Sequence, residues 1–252
     1  MDVAHLRAGN PGPFTLSGTN TWIAGRDPCW IVDPGPLLED HVSAILAEAE
    51  SRGGAGGIAL THGHADHTEA VDAVAEATGA PVAAMEHPAD VSLRDGDAFG
   101  PLTAFATPGH APDHLAFLFG DWCFTGDAVL GEGSVFIAPD PGALRGYLEA
   151  LERLRALPLR ALAPGHGPRV DDPAAKLTQY IDHRRERERR LVAALDAGLR
   201  TADGLLDRVW DDAPLVLRPA AAVTLAAHLD KLEEEDRLPA GVERPNVRDA
   251  PS

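Results

Sequence analysis

The sequence predicts a mixed α/β domain followed by a small helical one, and three observations carry that prediction. Up to about residue 173, short apolar runs bounded by Gly, Asp and Pro alternate with stretches of helical periodicity. Several of those runs end at a histidine or an aspartate beside a glycine. Beyond Pro173 long helical patterns take over. A chain of 252 residues holds one such domain of roughly 170–180 residues plus a small partner. The expected division is 1–173, 174–242 and a loose, polar, Pro-containing tail over 243–252.

Taken in order, Thr21-Trp22-Ile23-Ala24 and Trp30-Ile31-Val32 read as strands joined by a turn around Gly25-Arg26-Asp27-Pro28. Asp33-Pro34-Gly35-Pro36 ends the second strand sharply. Val42, Ile45, Leu46 and Ala49 recur at helical spacing from about Glu39, and Gly53-Gly54 stops that helix. Gly57-Ile58-Ala59-Leu60 is the next strand. Val71, Val74 and Ala75 mark a second amphipathic helix closed by Gly79, after which Pro81-Val82-Ala83-Ala84 resumes strand character. Asp95-Gly96 is a turn signal between two further strand candidates. Two more short apolar runs, Leu115-Ala116-Phe117-Leu118-Phe119 and Trp122-Cys123-Phe124, precede a helix over 143–157 with Leu144, Leu148, Leu151 and Leu154 on one side. Arg160-Ala161-Leu162-Ala163 is the last strand of this domain. In the second domain Leu191, Leu195 and Leu199 share a helical face, Thr201 caps a shorter helix, and Leu225, Leu229 and Leu232 lie along a third. Leu238-Pro239-Ala240-Gly241-Val242 could form a short wing.

Composition narrows the classes of function. Hydrophobic residues at 44% and charged residues at 24% fit an ordinary globular protein. No apolar run approaches the ~20 residues that span a bilayer, and Met1-Asp2-Val3-Ala4-His5 lacks the pattern of a signal peptide, so a cytoplasmic protein with no membrane partner is expected. Cys29 and Cys123 lie in apolar runs and read as small core hydrophobes. A net charge of −17, from 22 Lys+Arg against 39 Asp+Glu, handicaps nucleic-acid binding, and duplex binding most of all. The basic stripe His183–Arg190 reads as a solvated helix face laced with Glu–Arg pairs. An oligomer is compatible with the sequence.

The chemistry concentrates in His62-Gly63-His64-Ala65-Asp66-His67, at the end of an apolar strand and before a helix. Carboxyl ends of strands are where α/β sheets present their sites. Alternation in extended backbone lets His62 and His64 point the same way, while Asp66 and His67 turn away at the start of the helix. Thr107-Pro108-Gly109-His110, Thr125-Gly126-Asp127 and Pro164-Gly165-His166-Gly167 add ligand types in similar strand-end settings. Such a set suits two ions roughly 3.5–4 Å apart. The remaining histidines, His5, His41, His87, His183 and His228, fall outside any ligand pattern, and surface positions suffice for them.

In this order, His-x-His-x-Asp-His followed by a distant His, Asp and His resembles the pattern of the metallo-β-lactamase superfamily. The resemblance implies a four-layer αββα sandwich. It implies that His62, His64 and His110 hold one zinc, that Asp66, His67 and His166 hold the other, and that Asp127 bridges them; iron or manganese would also suit these ligands. The nucleophile would be the hydroxide between the metals, with Asp66 orienting it and carrying protons. Asp33, in an Asp-Pro-Gly turn, is expected to steady the ligand loops; His114 reads either as a satisfied structural histidine or as a residue that contacts substrate or supports the site. Gly131-Glu132-Gly133-Ser134 reads either as pocket rim or as loop punctuation.

Within the superfamily, several branches fit poorly. Class B β-lactamases are exported and do not use a bridging aspartate here. Flavo-di-iron oxidoreductases replace the second histidine, which is intact as His64. Persulfide dioxygenases use a single iron, against which the full ligand set argues. Asn10-Pro11-Gly12-Pro13-Phe14-Thr15-Leu16-Ser17-Gly18-Thr19-Asn20-Thr21, Thr107–His114 and Tyr180-Ile181-Asp182-His183-Arg184 with Leu225–Leu238 resemble the lactamase-beta-like endoribonuclease family and its winged-helix-like C-terminal domain. That resemblance implies a zinc-dependent hydrolase acting on an ester-type bond. Members cleave single-stranded RNA, fungal relatives are carrier-protein thioesterases, and glyoxalase II is a more distant thioesterase, so RNA and a small ester or thioester both stand as substrates. The acidity of the chain weighs against RNA.

Overall fold

The computed structural model describes residues 1–247, so residues 248–252 of the expected tail lie outside the described residues. Its first sheet takes its strands in chain order. β1 (Val3–Arg7), β2 (Asn20–Ala24) and β3 (Cys29–Val32) pair antiparallel, and β4 (Ala55–Ala59), β5 (Val82–Ala84) and β6 (Val91–Ser92) add in parallel. Parallel neighbours need crossovers. α1 (Glu39–Ser51) supplies one between β3 and β4; α2 (Ala65–Thr68) and α3 (Val71–Thr78) supply the next. In the second sheet β7 (Ala98–Phe99), β8 (Leu102–Ala106), β9 (Leu115–Phe119) and β10 (Trp122–Gly126) run antiparallel. α4 (Ala143–Arg155) then carries the chain to β11 (Ala161–Pro164), parallel to β10.

The layers follow from side-chain alternation. Ile23 points to a core shared with Ile45 of α1 and Val74 of α3, while its neighbours Trp22 and Ala24 point to the space between the sheets. In the other sheet Cys123 and Leu162 face Leu144, Tyr147 and Leu151 of α4, and Trp122, Phe124, Ala161 and Ala163 face the first sheet. Both faces of each sheet are covered, which is why the central strands read as unbroken apolar runs. The order is helix, sheet, sheet, helix, the expected αββα sandwich. Cys29 and Cys123 are buried free thiols within it.

The C-terminal helices begin with α5 (Pro173–Asp196), where Asp172 accepts the Ala175 N–H at 3.0 Å and Pro173 occupies the first turn. α6 (Ala202–Val209) is capped by Thr201 as predicted. A 3₁₀ turn, Leu215–Leu217, leads into α7 (Arg218–Glu234). The first half of α5 packs Leu177, Tyr180 and Ile181 into the core under α4, and its second half packs Leu191 and Leu195 against α6 and α7. One helix therefore belongs to two cores.

Several expectations are corrected. β1 carries no apolar run because it is a half-exposed edge, and the periodicity reading passes over it. The Asp95-Gly96 turn does lie between two strands as expected, but β6 belongs to one sheet and β7 to the other, so it hands the chain across the sandwich. Leu199 lies past the end of α5, though it still packs on the same helical core. Leu238–Val242 forms turns rather than a strand, and the described residues beyond 172 contain no strand. The tail is not loose at its start: Glu243 N–H donates to Arg200 O at 2.7 Å, and the Glu243 carboxylate accepts from Ala202 N–H at 3.1 Å. The basic stripe is only partly a solvated face. Arg185, Arg189 and Arg190 pair with Glu152, Glu186 and Asp211, but Arg184 and Arg187, one turn apart, face inward and are buried. His41 and His228 are likewise buried rather than on the surface, because α1 and α7 turn those faces to the core.

Candidate metal centre

The loops that follow β3, β4, β8, β10 and β11 meet at one edge of the sandwich and deliver Asp33, His62–His67, His110, Asp127 and His166 together. Three sets of side chains there, His62 with His64 and His110, His62 with His67 and Asp127, and Asp66 with His67 and His166, bring ligand atoms within 4.8 Å of one another. Asp127 reaches both ends of the cluster: its Oδ2 lies 3.3 Å from His166 Nε2 and 3.7 Å from His110 Nε2. Asp66 Oδ2 is 3.2 Å from His166 Nε2, and His64 Nδ1 is 3.0 Å from His110 Nε2.

Neighbouring groups fix which ring nitrogens face the centre. Asp33 is a buried carboxylate that accepts the Thr61 N–H at 2.8 Å and the Thr61 hydroxyl at 2.7 Å. It also accepts His67 Nδ1–H at 2.9 Å, which leaves the His67 Nε2 lone pair toward the centre. With its proton committed to Asp33, the Thr61 hydroxyl accepts His62 Nδ1–H at 3.0 Å. His62 Nε2 is then a buried lone pair with no protein partner, as is Asp127 Oδ1. Buried polar atoms are nearly always satisfied. Orphans aimed into a His/Asp cluster are what a cation would complete, so the residues present fit a metal.

His114 does not reach the pocket. It is fully buried, and its Nε2 accepts the backbone N–H of Asp127 at 3.0 Å. The proton must then sit on Nδ1, where it is donated to Thr107 Oγ1 at 2.7 Å. With both ring nitrogens hydrogen-bonded inside the fold, His114 sits as a satisfied, buried histidine that holds the Asp127 backbone. Thr19 was not singled out by the sequence: its hydroxyl donates to Asp66 Oδ2 at 3.2 Å and it is itself held by Asn10. Asn20 pins the His166 loop by donating to Pro164 O at 2.9 Å and Gly167 O at 2.8 Å. Only their place in the Asn10–Thr21 string marked these residues, and nothing in the string states a role.

Close approach also dictates residue type. A Cβ on Gly165 would stand 2.5 Å from Asp127 Oδ1 and 2.6 Å from the His67 ring, so this position admits glycine alone. The electrostatics divide the cluster. Burial pushes His62 and His64 down, and His110 to about 4, so these rings are neutral. Burial opposes charge on His166 too, but Asp127 and Asp66 outweigh it and raise His166 to about 10. Burial disfavours the Asp127 carboxylate, yet His166 and His67 hold it well below the usual carboxylate range. The cluster thus has a neutral imidazole end and a carboxylate-rich end.

A cavity of about 520 Å³ opens onto these groups. Its walls are mostly apolar, including Pro13, Phe14, Leu16, Leu130, Val135 and Phe136 from the sandwich, and Leu217 and Ala220 from the helical domain. Glu132, Gly133 and Ser134 line it as well, so that loop is pocket rim. The loop is held by one face of α5: Lys176 Nζ donates to Gly131 O at 3.0 Å, and Tyr180 Oη accepts Leu130 N–H at 3.0 Å and donates to Gly133 O at 3.2 Å. Arg184 continues that face with Nη2 donating to Val135 O. No helix among the described residues is long and apolar enough to cross a membrane.

Comparison with known proteins agrees with this architecture. Residues 14–105 and 90–166 match the metallo-beta-lactamase superfamily, and residues 201–239 match the beta-lactamase associated winged helix domain. A beta-lactamase-like protein 2 homolog of Caenorhabditis elegans is 31% identical over 252 residues, spanning 91% of this chain and 83% of its own. The atrochrysone carboxyl ACP thioesterase of Aspergillus fumigatus is 33% identical over 209 residues, 77% of this chain and 64% of its own. Among solved structures, a metallo-beta-lactamase family protein of Thermus thermophilus superposes with a TM-score of 0.75 at 26% identity, covering 93% of this chain and 94% of its own. With a complete His/Asp cluster at the edge of an αββα sandwich and a matching C-terminal domain, the chain belongs to the metallo-beta-lactamase superfamily.

Proposed function

We propose that the protein is a metal-dependent hydrolase of thioesters with an apolar acyl group. One observation carries this choice over RNA: among the described residues lining the pocket, every formally charged side chain apart from the histidines is acidic, namely Asp66, Glu69, Asp127 and Glu132. A nucleic-acid groove neutralises phosphates with Lys and Arg. Here Pro13, Phe14, Leu16, Leu130 and Val135 suit an acyl chain instead. Similarity to a carrier-protein thioesterase supports the same reading.

His62, His64 and His110 would hold one metal ion and Asp66, His67 and His166 a second, with Asp127 shared; two zinc ions suit these nitrogen and oxygen donors. Bound there, the ions supply Lewis acidity toward the thioester carbonyl and acidify water. The chain's own groups do the rest. The acyl chain packs against the apolar wall, which excludes bulk water from the scissile bond. Asp66 lines the pocket with Oδ2 fixed by the Thr19 hydroxyl, a position suited to holding the attacking water and taking its proton. Oxygen adds to the carbonyl carbon, the C–S bond breaks, and the leaving sulfur takes the proton back from Asp66, giving an acid and a thiol.

The test offers the metal-loaded chain octanoyl thioesters of N-acetylcysteamine and coenzyme A, S-lactoylglutathione and a single-stranded RNA, beside an Asp66→Ala control. Octanoyl turnover that is lost with Asp66→Ala is expected. Cleavage of RNA without turnover of any thioester would overturn the proposal in favour of the nuclease reading.

A further inference from the structure

On the Val135 side of the main pocket lies a second cavity of about 180 Å³. It shares Ser134, Val135, Phe136, Leu217 and Ala220 with the main pocket, so the two adjoin. Its character is opposite. His183, Arg184, Arg187 and Trp210 line it, and no acidic side chain does so among the described residues.

Arg184 is the notable member. It is 2% exposed, yet no carboxylate lies within ion-pair distance of it among the described residues. Nη2 donates to Val135 O and, at 3.3 Å, to Ser134 Oγ, while Nε is buried without a partner. Arginine is almost never buried unless its charge is paired, because desolvating a guanidinium costs several kcal/mol. Clamping the Ser134–Val135 loop explains the donated hydrogen bonds, but a neutral donor would serve that purpose. Arg187, 6% exposed, adds a second guanidinium, and its one counter-charge, Asp212, is on the surface with its side chain 61% exposed. His183, pushed down to about 4 by burial and these two arginines, is neutral and accepts Arg187 Nε–H at 3.3 Å, so it offers Arg187 a hydrogen bond but no counter-charge. His228 nearby is buried with both ring nitrogens unpartnered. In a chain of net charge −17, Arg184 is a buried positive charge without a carboxylate partner, beside a main pocket that has no lysine or arginine.

We propose that this second cavity is an anion subsite, which receives a negatively charged group of the thioester whose acyl part lies in the main pocket. The group is either a carboxylate on the acyl moiety or a phosphate on the thiol carrier; both offer oxygen acceptors to Arg184 and Arg187. The inference rests on the thioester reading for its substrate but not for its chemistry, which is anion binding by buried arginines.

Matched substrates separate the two sources. Adipoyl and hexanoyl thioesters of N-acetylcysteamine differ only in a terminal carboxylate; hexanoyl-coenzyme A and hexanoyl-N-acetylcysteamine differ in the phosphates. The full, metal-loaded chain is expected to favour the anionic member of one pair by about tenfold or more in kcat/KM, mainly through KM. Arg184→Met should bring that ratio close to one. Because Arg184 also holds a loop, Ala213→Phe is made in parallel, filling the second cavity while leaving the arginine contacts in place. Calorimetric titration with adipate and with inorganic phosphate, wild type against Ala213→Phe, reads the subsite without turnover. Anion binding weakened about tenfold in the variant supports the subsite even if no thioester is hydrolysed, in which case the thioester reading alone falls. Thioester turnover with ratios near one in the wild type, or with a preference unchanged in both variants, overturns the subsite and leaves the thioester reading standing.

Discussion

Asp33 makes no approach to the pocket, yet two of its hydrogen bonds decide how two histidines face the centre. It fixes His67 directly and His62 through Thr61. Asp33→Asn keeps the shape but replaces an acceptor oxygen with a donor, so His67 Nδ1–H loses its partner. Metal affinity is expected to fall about 10- to 100-fold, as measured by competition with a chromogenic chelator. The ligand residues were legible in the sequence because they occur in short strings whose spacing has chemical meaning. Thr19, Thr61 and Thr107 were not legible, since a threonine hydroxyl acquires a role only from what the fold places against it. His228 was misread for the opposite reason: an isolated histidine in a helical stretch carries no sign of which face it takes. It is buried, and burial with Arg184 and Lys231 nearby drives its ring well below the usual histidine range. The unfolded chain, at about 6.5, therefore takes up the proton first, and this group erodes stability as pH falls below about 6.5. His228→Leu should gain stability relative to wild type between pH 7.5 and pH 5; urea midpoints that keep a constant gap across that range would refute this.

Among the elements, α5 does most to connect the two halves. Lys176, Tyr180 and Arg184 recur every four residues, so one face presents three polar groups to the loop at Leu130–Val135. Tyr180→Phe leaves the buried Leu130 N–H without its acceptor, and a cost of about 1–3 kcal/mol is expected in urea unfolding. A change below a few tenths of a kcal/mol would mean that the loop finds water instead. Helices and central strands were readable because their periodicities are strong. Elements that depend on an edge position, such as β1, or on sheet assignment, as at Asp95-Gly96, were not, because pairing partners lie far away in the chain. The two inward arginines of α5 were hidden inside a stripe whose composition alone suggests solvent.

At the scale of the whole molecule, both domains line the main pocket. Leu217 and Ala220 line a cavity whose His/Asp groups all come from the sandwich, so on the proposed function the helical domain would form part of the acyl wall. Leu217→Asp places a carboxylate among apolar walls and should raise KM for an octanoyl thioester by about tenfold or more with metal content unchanged. An unaltered KM would exclude Leu217 from the acyl site. None of this wall could be read in advance, because residues 217 and 166 are brought together only by the docking of α5 and α7. The overall acidity was legible, and it agrees with a pocket lacking lysine and arginine. The measurement that bears most directly on a paired-metal thioesterase is a zinc titration of the chelated chain, with bound metal counted by native mass spectrometry and octanoyl thioester hydrolysis followed in the same samples. Activity should be absent without metal and should rise to a plateau at about two ions per chain. Hydrolysis by the chelated protein, or a plateau at about one ion, would contradict it.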